Sequence, residues 1–205
     1  MTLAAFRENR SLQKRRAILD AATTLFANQG ITAVTMATLA AEASVSTATL
    51  YRHFAAKEDV FACVIDELVH GFDSSSINTV EQHLDGLHQL ALRYTRTLVD
   101  PTVLGLLRAV VADREQGSGF RERLASHGNA IFLNDFHTQI RAAFTRHSQA
   151  PERDTITQAN VELRGALEHV SLVPGLLFHE TPNEDSLTRQ VGRIMERWRA
   201  HWLSA

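Results

Sequence analysis

Three side chains that can bind a polyanion stand next to one another in this sequence. Tyr51, Arg52 and His53 fall within the stretch STATLYRHF, and Lys57 follows four residues later. Arginine and lysine pair with phosphate, tyrosine and histidine hydrogen-bond to it, and arginine also forms paired bonds to guanine. An enzyme pocket, a metal site or a nucleic-acid surface could use such a set. The helices predicted to carry these residues distinguish between these three kinds of site.

A short helix over residues 47–54 is predicted to position them. Ser46 is a favourable N-cap residue for it. On a helical wheel Leu50 and Phe54 share one face and point inward, which anchors the helix. The outer face is predicted to carry Ala48 and Arg52, with Thr49 and Tyr51 at its flanks. Thr47 lies in the first turn, where recognition helices usually contact base edges. Small residues at 47–49 would allow a close approach to base edges.

A second short helix, MATLAAEA, precedes this one and can be capped by Thr35. Only the residues SVS separate the two helices. Two short helices joined by a turn of three or four residues form a helix-turn-helix, whose second helix can enter the major groove of DNA. The turn lacks the glycine often found there, so its spacing alone does not settle the motif.

Helical periodicity recurs along the rest of the chain, and strand alternation is absent from the sequence. We therefore predict an all-α fold of about nine helices. Beyond the two short helices, the predicted stretches are 14–29 with Gly30 as the stop, Lys57 to about Gly71, 78–98 capped by Asn78 with Glu81, a helix starting at Asp100-Pro101, 119–146, 152–178 interrupted near Pro174-Gly175, and a last helix from Thr181-Pro182-Asn183-Glu184 to about 203.

Charge is distributed unevenly along the 205 residues. Residues 1–57 hold seven Lys or Arg and three acids, whereas the remainder holds 14 bases and 20 acids. A basic N-terminal part on an acidic body favours a nucleic acid or an anionic membrane as partner, although an ordinary solvated surface is the alternative. With a single cysteine, Cys63, no spanning apolar run and no signal-peptide core, we expect a cytoplasmic protein without membrane contact.

The C-terminal part carries apolar stripes that predict two further functions. A stripe on the last two helices is assigned to a homodimer seam, with packing within one monomer as the alternative: Leu163, Leu167, Val170, Val191, Ile194, Met195, Trp198 and Trp202. A second set is a candidate lining for a small-molecule pocket, with an ordinary core as the alternative: Tyr94, Leu104, Leu107, Phe132, Phe136 and Ile140. No metal-binding motif is present, and we expect neither a metal nor another cofactor.

Residues 15–61, RRAILDAATTLFANQGITAVTMATLAAEASVSTATLYRHFAAKEDVF, resemble the TetR family of bacterial transcriptional regulators. The elements TLYRHF-x-x-KE and LF-x-x-x-G carry the resemblance, which covers about a quarter of the chain. It implies a DNA-binding domain over 1–56, a ligand-binding and dimerisation domain over 57–205, and a homodimer on a palindromic double-stranded DNA operator. An unknown small-molecule effector would release the DNA.

The resemblance also implies roles for single residues. Thr47, Ala48 and Arg52 fall where family members often touch bases, and Thr35 caps the second helix beside the DNA backbone. Ser46, Thr49, Tyr51, His53 and Lys57 fall where family members often touch phosphates. Ala37 and Ala56 depart from the family pattern, since a base-reading arginine and a polar cap are more usual there.

Two other classes of protein remain open at this point. The chain could be a helical ligand-binding or interaction protein that keeps the helix-turn-helix only as a packing unit. It could also be an all-α enzyme, although no convergent acid–base set is visible in the sequence. The leading hypothesis is a ligand-responsive DNA-binding repressor without enzymatic activity.

Overall fold

A computed structural model describes residues 3–71, 85–112, 119–124, 130–147 and 151–204. These described residues form α-helices and no strand, as the periodicity predicts. The helices are α1 (Leu3–Gln29), α2 (Met36–Glu42), α3 (Thr47–His53), α4 (Lys57–Gly71), α5 (Gly86–Val99), α6 (Pro101–Ala112), α7 (Phe120–Arg123), α8 (Ala130–Arg146), α9 (Arg153–Val173) and α10 (Glu184–Trp202). A π-helical turn, Pro174–Phe178, directly follows α9.

Several predicted helix ends differ from the observed ones. Helix α1 begins at Leu3 rather than at residue 14, because neither proline nor glycine interrupts residues 3–13. Helix α5 begins at Gly86 with Asp85 as its N-cap, and the predicted cap at Asn78 and Glu81 lies outside the described residues. The predicted helix over 119–146 is replaced by α7 and α8. Helix α10 is capped by Asn183 rather than by Thr181.

The first compact unit comprises described residues of 1–68 and 101–128. Within it α1 packs against α6 and α2, and α2 packs against α3. Its core holds three edge-to-face aromatic rings, Phe26, Phe61 and Phe120, with ring centroids 5.1 to 6.4 Å apart. Gly105 lets α6 approach closely, since a Cβ there would lie 3.0 Å from the carbonyl oxygen of Ala27. The unit thus joins α6 and α7 to the helices that carry the candidate site.

The second unit comprises described residues of 69–100 and 129–205. Here α9 packs against α5, α8 and α10, and α5 also contacts α8 and α10. Its core draws buried side chains from all four helices, among them Leu92, Phe136, Leu163 and Val191. The predicted boundary after residue 56, between a DNA-binding domain and a ligand-binding and dimerisation domain, stays a prediction. None of the described helices is both long enough and apolar enough to cross a bilayer.

Candidate nucleic-acid interface

The turn between α2 and α3 shows how the chain builds a tight corner without glycine. Ser44 adopts a left-handed backbone with a φ of 53°. Its N–H donates to the Ala41 carbonyl at 3.1 Å, and the Val45 N–H donates to the Ala40 carbonyl at 2.9 Å. This is the Schellman arrangement that ends a helix, normally with glycine at the left-handed position. The missing glycine therefore does not prevent the helix-turn-helix.

Both short helices begin with side-chain caps. Thr35 and Thr38 form a reciprocal capping box at α2, in which each hydroxyl accepts the other residue's N–H at 2.9 and 3.1 Å. Ser46 caps α3 by accepting the Thr49 N–H at 3.1 Å. Caps of this kind satisfy N–H groups that a helix start leaves unpaired. The predicted caps Thr35 and Ser46 are confirmed.

Helix α3 is anchored as its wheel predicts. Leu50 is fully buried and Phe54 is 4% exposed. Thr47, Ala48, Tyr51 and Arg52 are exposed, with 57% of Tyr51 accessible. We call these four exposed residues the recognition face. A seven-residue helix held by two buried side chains therefore presents a hydroxyl, a phenol and a guanidinium to solvent.

Thr49 does not join the recognition face. Its side chain is buried, with 9% exposed, and its hydroxyl lies 2.9 Å from the Ser46 hydroxyl. The hydroxyl is thus engaged within the cap of α3. The expectation that Thr49 flanks the outer face is corrected, because the cap turns this side chain inward.

His53 ends α3 beside several cations. Its Nε2 atom is buried and has no hydrogen-bond partner among the described residues. Burial lowers the pKa of His53 below its usual 6.5, and the charges of Arg52, Arg15 and Lys14 lower it further. The imidazole is therefore neutral near pH 7. A neutral ring can still donate a hydrogen bond to phosphate, but it adds no charge.

Lys57 has partners inside its own unit. Its ammonium donates to the carbonyl oxygens of Ile31 at 2.8 Å and Val34 at 2.9 Å, and lies 5.7 Å from the centroid of the Phe120 ring. It thereby ties the start of α4 to the loop that leads into α2. Two of its three N–H groups are used in this way, which the sequence alone did not suggest.

Two residues beside the site make contacts that were not predicted from the sequence. Asp59 accepts the Ala56 N–H at 3.2 Å, which is one half of a capping box at the start of α4. The Arg15 guanidinium lies 5.3 Å from the centroid of the Phe54 ring and 3.1 Å from the Cys63 sulfur. The bond between Asp59 and the Ala56 N–H could have been predicted, because an acidic side chain at the third position of a helix can accept the N–H of the residue before the helix. No sequence signal pairs Arg15 with residues 39 and 48 positions away.

The residues predicted to line a pocket fall in both compact units. Leu104 and Leu107 belong to the first unit, whereas the other four belong to the second. Tyr94, Phe132, Phe136 and Ile140 are all at most 5% exposed and lie in the core of the second unit. The burial of these four residues fits an ordinary core, and their role in lining a pocket stays a prediction.

Tyr94 is held there by a polar network. Its hydroxyl donates to Glu168 Oε1 at 2.5 Å and accepts from Arg164 at 3.2 Å, while Arg164 also bonds Glu168 at 3.1 Å. Burial, together with the bond to Glu168, raises the pKa of Tyr94 far above its usual value. The phenol therefore stays protonated and serves the packing of α5 on α9.

The predicted dimer seam requires a correction. Five of its residues are buried in the core of their own unit, each at most 5% exposed: Leu163, Leu167, Val191, Met195 and Trp198. The Trp198 Nε1 atom donates to the Ala159 carbonyl at 2.9 Å, which fixes α10 on α9. Buried side chains of one chain cannot also form a seam with another. Val170, Ile194 and Trp202 are only half-buried and remain accessible.

Comparisons with known proteins agree with the geometry. Residues 18–64 match the family model described as bacterial regulatory proteins, tetR family, which spans the C-terminal part of α1, all of α2 and α3, and the first half of α4. No curated protein matches the chain.

Solved structures share the fold over nearly the whole chain. One is a protein from Mesorhizobium loti assigned to the TetR family of transcriptional regulators, with 24% identity, coverage of 94% of this chain and 98% of that one, and a TM-score of 0.73. Another is MexZ from Pseudomonas aeruginosa, described as a key repressor responsible for antibiotic resistance, with 23% identity, coverage of 94% and 98%, and a TM-score of 0.67. A TetR transcriptional regulator from Agrobacterium tumefaciens has 21% identity, coverage of 92% and 93%, and a TM-score of 0.71. Identities this low establish the fold, and the match over 18–64 supports a DNA-binding regulator.

Proposed function

We infer that this chain, whose residues 18–64 match the model of the bacterial tetR regulatory proteins, is a ligand-released repressor of that family. It binds a palindromic operator in the cytoplasm as a homodimer. The observation that carries the inference is the recognition face, because its exposed residues stand on a helix anchored by Leu50 and Phe54. A short rigid helix of this kind fits the major groove of duplex DNA.

The DNA-binding domain is placed at residues 1–56, and each candidate site residue in it or beside it has a proposed role. Thr47, Ala48 and Arg52 contact base edges, with Arg52 paired to a guanine. Tyr51 and His53 contact phosphates, and the backbone at the capped starts of α2 and α3, beside Thr35 and Ser46, does the same. Lys57 and Thr49 hold the domain together instead, since their polar groups already have partners in it.

The homodimer is proposed to use the exposed sides of α9 and α10. Val161 is 67% exposed, and open space surrounds the positions where a Cβ would stand at Gly165 and Gly192. Glycines on a helix surface let a second helix approach closely. Val170, Ile194 and Trp202, the predicted seam residues that remain accessible, are proposed to lie at the edge of this seam. Sedimentation equilibrium tests it, and a monomer at micromolar concentration would refute the dimer.

The effector is proposed to bind in the core of the second unit. Asn160 is 1% exposed, and neither atom of its amide has a hydrogen-bond partner among the described residues. An unpaired buried amide costs roughly 1–3 kcal/mol. A small molecule with an adjacent donor and acceptor would satisfy the amide. Release requires that the effector bind the DNA-free state more tightly, with a coupling of about 1–3 kcal/mol as the usual range.

Footprinting of the purified protein on the DNA that flanks its own coding sequence tests the function. We expect one protected site with two-fold symmetry, and affinity that falls steeply with salt because bound phosphates release counterions. Uniform weak binding to all fragments at low salt would favour the interaction-protein alternative. A transcription assay on the protected promoter then distinguishes repression from activation.

A further inference from the structure

The first turns of α1 lie before the part of the chain that matches the family model and bury little of their surface. Phe6, Arg10 and Leu12 are exposed, with 51% of Phe6 and 62% of Leu12 accessible. No described side chain before Lys14 is buried. A helix that is solvated on all sides gains little from packing, so its stability in isolation is marginal. A partner that covers one side would stabilise this segment.

One side of this segment is cationic. Arg10 and Lys14 stand four residues apart on one face. We call Arg10 and Lys14 the basic stripe. No acidic side chain among the described residues forms an ion pair with Arg10 or Lys14. Glu8, two residues from Arg10, falls on a different face.

The basic stripe continues a face that is apolar further along α1. Ile18, Ala21 and Leu25 follow Lys14 at intervals of four, seven and eleven residues, and all three are buried in the first unit. The same side of α1 therefore changes from apolar to cationic where its buried part ends. By contrast, Arg15 and Arg16, off this face, lie 3.9 Å from Glu67, and Arg16 also bonds Asp20 at 3.1 Å.

The C-terminal end of this segment lies beside α3. Arg15 packs on Phe54, which directly follows α3, and the Lys14 charge acts on His53, the last residue of α3. Residues 3–14 extend from there for about 18 Å at 1.5 Å per residue. Duplex DNA rises about 3.4 Å per base pair, so this length corresponds to roughly five base pairs.

We propose that the basic stripe is a second DNA-contact surface, which binds the phosphate backbone outside the bases that α3 touches. The proposal rests on the proposed function and adds a contact to it. The charge of the stripe, its position next to α3 and its solvated state all fit a polyanionic partner. The contact carries no base specificity, because phosphates do not report sequence.

The test is the salt dependence of binding to a fragment that carries the footprinted site with flanks of about ten base pairs. We expect Arg10→Gln/Lys14→Gln to reduce the log–log salt slope by about 0.9 for each lost contact. Affinity should fall on the order of 10–100-fold at low salt. Trimming the flanks should reduce the slope of the unaltered protein in the same way and leave that of the double variant unchanged.

Arg141→Gln/Arg146→Gln is the matched control, because it removes the same charge from exposed positions on α8. An unchanged slope in the Arg10/Lys14 variant, or an equal change in the control, would overturn the proposal and leave the proposed function intact. Failure of the unaltered protein to bind any fragment would instead overturn the proposed function. Circular dichroism of each variant checks that α1 stays folded.

Discussion

Helices α3 and α10 are both amphipathic, and in both the sequence pattern identifies the apolar face, although Thr49 of α3 is buried as well. On α3 the apolar residues Leu50 and Phe54 are buried, and the functional candidates are the polar residues left outside. On α10 the functional candidates were the apolar residues themselves, and Val191 and Trp198 are buried in their own unit. A wheel shows which face avoids water, but it does not show which surface covers that face.

The difference has a general physical cause. Burial in a monomer core and burial in a subunit seam both lower the free energy through removal of apolar surface from water. The same stripe therefore satisfies either outcome. Polar side chains also have a competing use, since Thr49 and Lys57 form hydrogen bonds within their own unit. A polar side chain that stays exposed, such as that of Arg52, remains available to a partner.

The largest expected effect tests the placement of Trp198. Trp198→Ala should lower the free energy of unfolding by about 3–5 kcal/mol, because it empties a buried site and removes the bond to the Ala159 carbonyl. Trp202→Ala should cost less than half as much, since Trp202 is only half-buried. Denaturant titration measures both changes. If Trp198 lay in a seam, sedimentation would show dissociation of the variant before any unfolding.

A smaller effect concerns Lys57. Lys57→Met should lower the free energy of unfolding by about 1–3 kcal/mol, since it leaves the Ile31 and Val34 carbonyls without their charged donor. The salt slope of DNA binding should stay the same. Lys14→Met, at the only other lysine in the chain, should reduce the salt slope and leave the free energy of unfolding unchanged. A reduced salt slope with an unchanged free energy of unfolding in the Lys57 variant would instead indicate that Lys57 contacts a phosphate.

Arg52→Ala tests the recognition face itself. The exposed guanidinium contributes little to folding, so stability should change by less than about 0.5 kcal/mol. Binding to the operator should weaken by about 1–3 kcal/mol, and the discrimination between bases should decrease at one position of each half-site. Gel-shift titrations with a set of single-base operator variants measure this. Equal losses on operator and random DNA would remove Arg52 from the base-contacting residues.

The smallest effect is a pH dependence at His53. The unfolded chain takes up a proton with a pKa near 6.5, whereas the folded chain has a lower pKa at this residue. Below about pH 6.5 the unfolded state therefore binds more protons at His53, and acid should favour unfolding. His53→Gln should lose less stability than the unaltered protein between about pH 7 and 5 in thermal unfolding. Parallel pH curves for the two proteins would contradict this.

Local features of the fold were predictable because their causes lie within a few residues. Gly30, Thr35 and Ser46 mark helix ends through their own backbone preferences and hydroxyl groups, and the structure confirms all three. The start of α5 was not predictable in the same way, because Asp85 and Asn78 are both acceptable caps. Local preference alone cannot choose between them.

The sequence by itself determined the all-α fold, the helix-turn-helix and the outward position of Ala48, Tyr51 and Arg52. Each of these follows from a helical period or a cap, which neighbouring residues specify. Only the tertiary structure decided that Lys57 bonds the Ile31 and Val34 carbonyls and that the Trp198 stripe faces its own core. Those contacts join residues 23 to 39 positions apart, and their partners depend on how whole helices pack.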